Sequence, residues 1–134
     1  MKLLLVFPIR LLLVALAALA MTLPVFAQVL LVREGRATAA IVTAVQPTAT
    51  TQYAVKELAE HVEKATGVRL AVVTEAAIPE TLHTRIFIGD TEAGRRLGIE
   101  PDQLPRETYL IRSVGNDLFI AGHDAGGEPM SASN

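Results

Sequence analysis

An α+β fold is what this sequence predicts: a mixed, largely antiparallel sheet with one main helix packed on it. Three observations carry the expectation. One long amphipathic helical repeat falls in the middle of the chain, several short runs of branched residues are bounded by glycine or proline, and no second repeat of comparable length occurs in the mature part. The 134 residues suffice for one domain and not for two.

In chain order, Val29 to Val32 is a short apolar run that reads as a first strand. Glu34-Gly35-Arg36 follows as a turn, and Ala37 to Thr43 reads as a second strand that can pair with the first in a hairpin. Pro47 and the threonines Thr48, Thr50 and Thr51 break the pattern, and Thr50 or Thr51 is expected to cap the main helix. In that helix Ala54, Val55, Leu58, Ala59, Val62 and Ala65 recur at steps of three and four, which puts them on one face. Lys56, Glu57, Glu60, Glu63 and Lys64 fall mostly on the other, with Glu60 and Lys64 in the favourable order for an ion pair one turn apart. Gly67 stands where a left-handed residue ends a helix.

Val68 to Thr74 and Arg85 to Ile88 read as strands, and Thr91 to Leu97 as one or two helical turns stopped by Gly98. Pro101 and Pro105 bracket an irregular stretch. Glu107 to Ser113 and Asp117 to Gly122 then read as two strands joined by a Gly115-Asn116 turn. In the last strand Leu118 and Ile120 point to one face while Phe119 and Ala121 point to the other, which calls for cover on both sides. After Gly122 the chain turns small and polar, as though a last packing element were missing.

The first 27 residues are set apart. Lys2 and Arg10 are their only charges, Leu11 to Met21 is apolar without a break, and Val25-Phe26-Ala27 offers small residues at a cleavage site. Residues 1–27 are expected to be a signal peptide cut after Ala27, with 28–127 as the domain and 128–134 as an irregular tail. The expected location is extracytoplasmic, periplasmic or secreted, with membrane contact only during export. Without Lys2 and Arg10 the 12 basic residues fall to ten against 14 acidic ones, and the remaining charges are interspersed. Nucleic acid is not expected as a partner, because it demands a clustered basic surface. There are no cysteines, so disulfides, thiolate chemistry and a lipidated anchor are excluded and the core alone must stabilise the domain.

Several local patterns together resemble a known group. They are Val29-Leu30-Leu31-Val32 with Glu34-Gly35; Tyr53-Ala54-Val55-Lys56-Glu57-Leu58-Ala59-Glu60-His61 running on to Lys64-Ala65-Thr66-Gly67; Arg85-Ile86-Phe87-Ile88-Gly89-Asp90-Thr91; and Glu107 to Arg112 followed by Leu118-Phe119-Ile120-Ala121-Gly122. In this order they are similar to the N-terminal domain of bacterial α-glucuronidases and the related second domain of β-N-acetylhexosaminidases. The resemblance covers nearly all of Val29 to Gly127. It implies a sheet with helices packed on it, placed ahead of a (β/α)₈ barrel, in enzymes that degrade plant or cell-wall polysaccharide. It carries no catalytic residue to this chain, since in those enzymes the catalytic carboxylates lie in the barrel. Relatives continue from a glycine-containing turn into a second helix and then the barrel; here Asp124-Ala125-Gly126-Gly127 begins such a turn, but no helical pattern follows.

The residues that could carry chemistry have plainer readings. Glu57 and His61 share a helix face but lack further metal ligands, so a solvated face is expected. His123-Asp124, beside Gly122, Gly126 and Gly127, reads as a strand-to-helix turn rather than a phosphate loop, because no Gly-Lys-Ser/Thr ending is present. Asp90 and Glu92 lie too close in one turn to face each other across a sugar, and Asp90 is expected to cap the short helix at Thr91. Gly89-Asp90-Thr91 could hydrogen-bond a sugar, but the mature chain offers only Tyr53, Phe87, Tyr109 and Phe119 as an aromatic platform, and the two phenylalanines read as core. No catalytic, cofactor-binding or metal residue is therefore expected, and no cofactor. The expected function is a non-catalytic accessory domain of a secreted glycoside hydrolase, present without its barrel, with that barrel or a polysaccharide as partner. The alternatives are a stand-alone extracytoplasmic module that binds carbohydrate or protein, and a gene fragment without function.

Overall fold

The computed structural model describes residues 29–124. The expected signal peptide, the tail and the glycines after Asp124 lie outside the described residues. Strand β1 (Val32–Arg33) and strand β2 (Arg36–Ala37) form a small antiparallel hairpin. Glu34 (φ 50°) and Gly35 (φ 71°) make its turn, both left-handed as a two-residue hairpin connection with the right twist requires. The remaining strands form one five-stranded sheet. They are β3 (Ala39–Thr43), β4 (Ala71–Thr74), β5 (Thr84–Ile88), β6 (Tyr109–Val114) and β7 (Asp117–Gly122), in the spatial order β4-β3-β5-β7-β6. Helix α1 (Ala49–Thr66) crosses from β3 to β4, and helix α2 (Glu92–Arg96) follows β5.

The α+β class and the mixed sheet are as the sequence predicts, with a correction to strand direction. Within the large sheet β3 runs parallel to both β4 and β5, and β5 parallel to β7, while only β6 and β7 pair antiparallel. The sheet is therefore not largely antiparallel. The reason lies in the connections: α1 carries the chain back to the end of the sheet where β3 began, and Glu75 to His83 do the same between β4 and β5. Periodicity within a strand is blind to the direction of its neighbour.

Boundaries move for local reasons. The expected second strand splits at Thr38, where the chain passes from the hairpin to the large sheet; the Thr38 amide donates to the Leu31 carbonyl and its hydroxyl to that of Leu30. The α1 cap is Thr48, not Thr50 or Thr51: its Oγ1 accepts from the Thr51 amide at 3.1 Å. Gly67 ends α1 at φ 71° with its amide on the Glu63 carbonyl, as the sequence predicts. The α2 cap is Thr91, whose buried hydroxyl accepts from the Gly94 amide, so Asp90 is freed for another partner.

Two clusters form the core, one on each face of the sheet. Val55, Ala59 and Val62 of α1 pack on Ala39, Ile41, Ile86 and Ile88, with half-buried Leu118 and Ile120 alongside. On the reverse face Val42, Phe87, Phe119 and Ala121 meet Ile99, with Ile78, Ala93 and Leu110 around them. The last strand thus has cover on both sides, but the second layer is built from α2 and loops rather than from a long helix. Phe87 and Phe119 stack with ring centroids 4.7 Å apart.

Asp117 closes one end of this second layer. Its carboxylate accepts from the Arg85 amide at 3.1 Å and from Arg85 Nε at 2.9 Å, and pairs with Arg85 Nη2. These bonds raise the Arg85 pKa above its ordinary value, chiefly through the side-chain hydrogen bond to Asp117. A raised cation pKa means stabilisation that is present at neutral pH and lost only as pH climbs through the raised value. Asp117→Ala is expected to cost roughly 2 kcal/mol, mostly from stranding the three donors rather than from the half-exposed ion pair. The difference from wild type should stay constant in chemical denaturation from neutral pH to about pH 10.

Candidate functional site

The C-terminal ends of the parallel strands carry most of the polar side chains that converge. Thr43, Ile88 and Gly122 end β3, β5 and β7. The segments that leave them are Ala44 to Thr48, Gly89 to Thr91, and His123-Asp124. Gly89 lets the second of these segments lie against α1. It has φ 80°, and a Cβ added there would stand 2.4 Å from Thr51 Oγ1, so the β5 loop can lie against the first turn of α1 only without a side chain.

Both helix starts are occupied by carboxylates of the chain itself. Asp124 accepts from the Thr48 hydroxyl at 2.5 Å and lies 3.4 Å from that of Thr51, at the start of α1. Glu75 accepts from the amides of Glu92 and Ala93, each at 2.9 Å, at the start of α2. A negative group at a helix N-terminus is stabilised by the orphan amides and the helix dipole. Glu75 thus fills the start of α2, while Asp124 meets the threonine hydroxyls at the start of α1.

Asp90 takes both Nε (2.7 Å) and Nη2 of Arg95, a two-pronged pair that raises the Arg95 pKa, first through the hydrogen bond and then through the charge. Glu92 pairs with Arg96. Each member of the Asp90–Glu92 pair considered from the sequence is thus held by its own arginine. Glu57 and His61 sit on the exposed face of α1, with His61 Nδ1 against the Glu57 carbonyl at 2.8 Å. His123 lies apart from them, its Nδ1 2.7 Å from the Leu104 carbonyl. Among the described residues no group of three or more His, Asp or Glu is placed to hold a metal ion, and no helix is long and apolar enough to cross a membrane.

Two depressions meet at the Asp90–Arg95 pair. One, about 170 Å³, lies between Gln46, Pro47, Thr48, Thr51 and the pair. The other, about 290 Å³, continues past Glu100 and Asp102. The first lies between β3 and β5, where the chain turns from α1 toward β4 on one side while β5 lies on the other, the position at which α/β sheets leave a crevice.

A second feature is apolar. Five strands spaced about 4.8 Å apart span about 19 Å, whereas a helix covers about 10 Å. Helix α1 covers β3 and β5. Beyond it Tyr109 (77% exposed) and Ile111 (59% exposed) stand on β6, and Ile111 pairs with half-buried Ile120 of β7. A groove of about 210 Å³ runs between Tyr109 and α1, lined also by Ala54, Ile88 and Ile120. Ala54 belongs to the expected apolar face of α1 yet is exposed, because nothing in the described residues lies over it. From the sequence Tyr109 stands in an expected strand and among the aromatics, with nothing to mark it as exposed. The available signal was Tyr109-Leu110-Ile111, apolar on both faces of a strand in the manner already noted for β7.

The fold defines an α+β domain built on a mixed sheet, with part of β6 exposed among the described residues. No family model, curated protein or solved structure matches the chain.

Proposed function

We propose that this protein is a non-catalytic supporting domain of an exported, sugar-cleaving enzyme of the α-glucuronidase kind, working beside a barrel that carries the catalytic carboxylates. The observation that carries the reading is the apolar strip next to α1, where Tyr109 and Ile111 are exposed among the described residues beside half-buried Ile120. Exposed apolar surface of this kind, flanked by a helix on one side, suits a packing partner rather than water. A sheet with a helix packed on it is what the resemblance implies, and α1 packs on the sheet in this way. Asp90 and Glu92 sit in arginine pairs, which argues against their acting together as catalytic carboxylates.

Purified protein is expected to hydrolyse no aryl glycoside faster than the uncatalysed reaction; turnover that follows the protein through a second purification overturns the reading. The strip itself has a separate test. Ile111→Lys should change folding stability by less than about 0.5 kcal/mol, since the side chain is mostly exposed and lysine is tolerated on edge strands. It should also lower binding of an apolar dye. A loss of several kcal/mol in urea denaturation would mean that Ile111 is covered in solution.

A further inference from the structure

The crevice between β3 and β5 is not absorbed by a supporting role. Its walls are Gln46, Pro47, Thr48 and Thr51 on one side and Asp90 with Arg95 on the other, around about 170 Å³. That is smaller than the roughly 300 Å³ at which pockets for drug-sized molecules begin, and leaves room for one small ring. The Asp90–Arg95 pair governs what the crevice can recognise. Arg95 spends Nε and one Nη2 hydrogen on Asp90, so Nη1 keeps both of its hydrogens for a ligand. The carboxylate keeps further lone pairs on each oxygen. One rigid fork thus offers donors and acceptors side by side with no net charge. Vicinal hydroxyls, each of which donates and accepts, complement that arrangement.

Charged ligands fit less well. An anion would meet Glu100 and Asp102 in the adjoining depression and Asp124 at the start of α1. A cation would meet the remaining N–H groups of Arg95. Ile88 and Pro47 supply small apolar surface in the same crevice, suited to the C–H face of a ring. We infer that the crevice between β3 and β5 binds a neutral ring bearing vicinal hydroxyls, a single neutral pyranose in size and chemistry, on the Asp90–Arg95 pair. This site adjoins the apolar groove through Ile88 but uses none of Tyr109, Ile111 and Ile120, so its failure would leave the supporting role standing.

The test is an amide-resolved NMR titration of the purified protein with methyl β-D-glucopyranoside, D-glucuronate and 2-methoxytetrahydropyran. Weak, saturable binding in the millimolar range is expected for the glucoside, with shifts centred on Thr48, Thr51, Asp90 and Arg95. Glucuronate should bind at least several-fold more weakly, and the ring without hydroxyls should leave these amides unmoved. Arg95→Ala and Asp90→Asn should each abolish the glucoside shifts while the rest of the spectrum stays folded; either variant suffices if the other fails to fold. Absence of saturable shifts at about 50 mM glucoside overturns the inference. So does glucuronate binding as tightly as the glucoside, or glucoside shifts that persist unchanged in the folded variant.

Discussion

Phe119→Ala is expected to destabilise the fold by about 4 kcal/mol. Phe119 is 4% exposed and belongs to the interior strand β7, where its ring stacks on Phe87 at 4.7 Å. Around the two rings the cover is thin. It consists of Ile99 and Ala93 from the α2 region, Ile78 from the loop after β4, and the edge residues Leu110 and Val114. Short elements of this kind cannot collapse into a ring-sized void without giving up their own contacts, so the cavity cost adds to the transfer cost. For a domain whose whole stability is about 5–15 kcal/mol, that loss is a large share. At about 4–8 °C per kcal/mol, the melting temperature should fall by some tens of degrees. Phe119→Leu should cost well under half as much. A loss below about 1.5 kcal/mol for Phe119→Ala would mean that the second face of the sheet is not packed as described.

Gly89→Ala should cost about 3 kcal/mol through two mechanisms that a double-mutant cycle can separate. The first is backbone strain: φ of 80° is left-handed, and a Cβ is disfavoured there whatever the surroundings. The second is collision, since the new Cβ would stand 2.4 Å from Thr51 Oγ1 and 3.0 Å from Thr51 Cγ2. Thr51 cannot swing aside freely, because it is 5% exposed in the first turn of α1. In a Thr51→Ala background the collision with Oγ1 and Cγ2 disappears while the strain remains. Gly89→Ala should therefore cost at least about 1 kcal/mol less there than in wild type. Equal costs in the two backgrounds would show that the β5 loop does not rest on α1.

Much of the architecture was legible because its signals are local. The α1 repeat, the Gly67 stop, the Glu34-Gly35 turn and the alternation through Leu118 to Ala121 each depend on residues within a few positions of one another. The misplaced caps show the limit of that locality. Thr48, Thr50 and Thr51 are equally good capping residues by type, and the choice of Thr48 goes with its hydroxyl meeting Asp124, 76 positions along the chain. Asp90 precedes a helix and so reads as its cap, whereas in the fold Thr91 supplies the cap and Asp90 turns to Arg95. The crevice was only half visible in Gly89-Asp90-Thr91, since its other wall comes from the loop before α1.

By itself the sequence determined which stretches extend, which one coils, and which faces are apolar, because backbone preference and hydrophobic period act over a handful of residues. Only the tertiary structure decided the parallel order β4-β3-β5-β7, the placing of Asp124 and Glu75 at the starts of α1 and α2 from distant segments, and the strip of Tyr109 and Ile111 left beside α1. Those depend on which surfaces meet across the fold, and a one-dimensional pattern holds no record of distance between residues far apart in the chain.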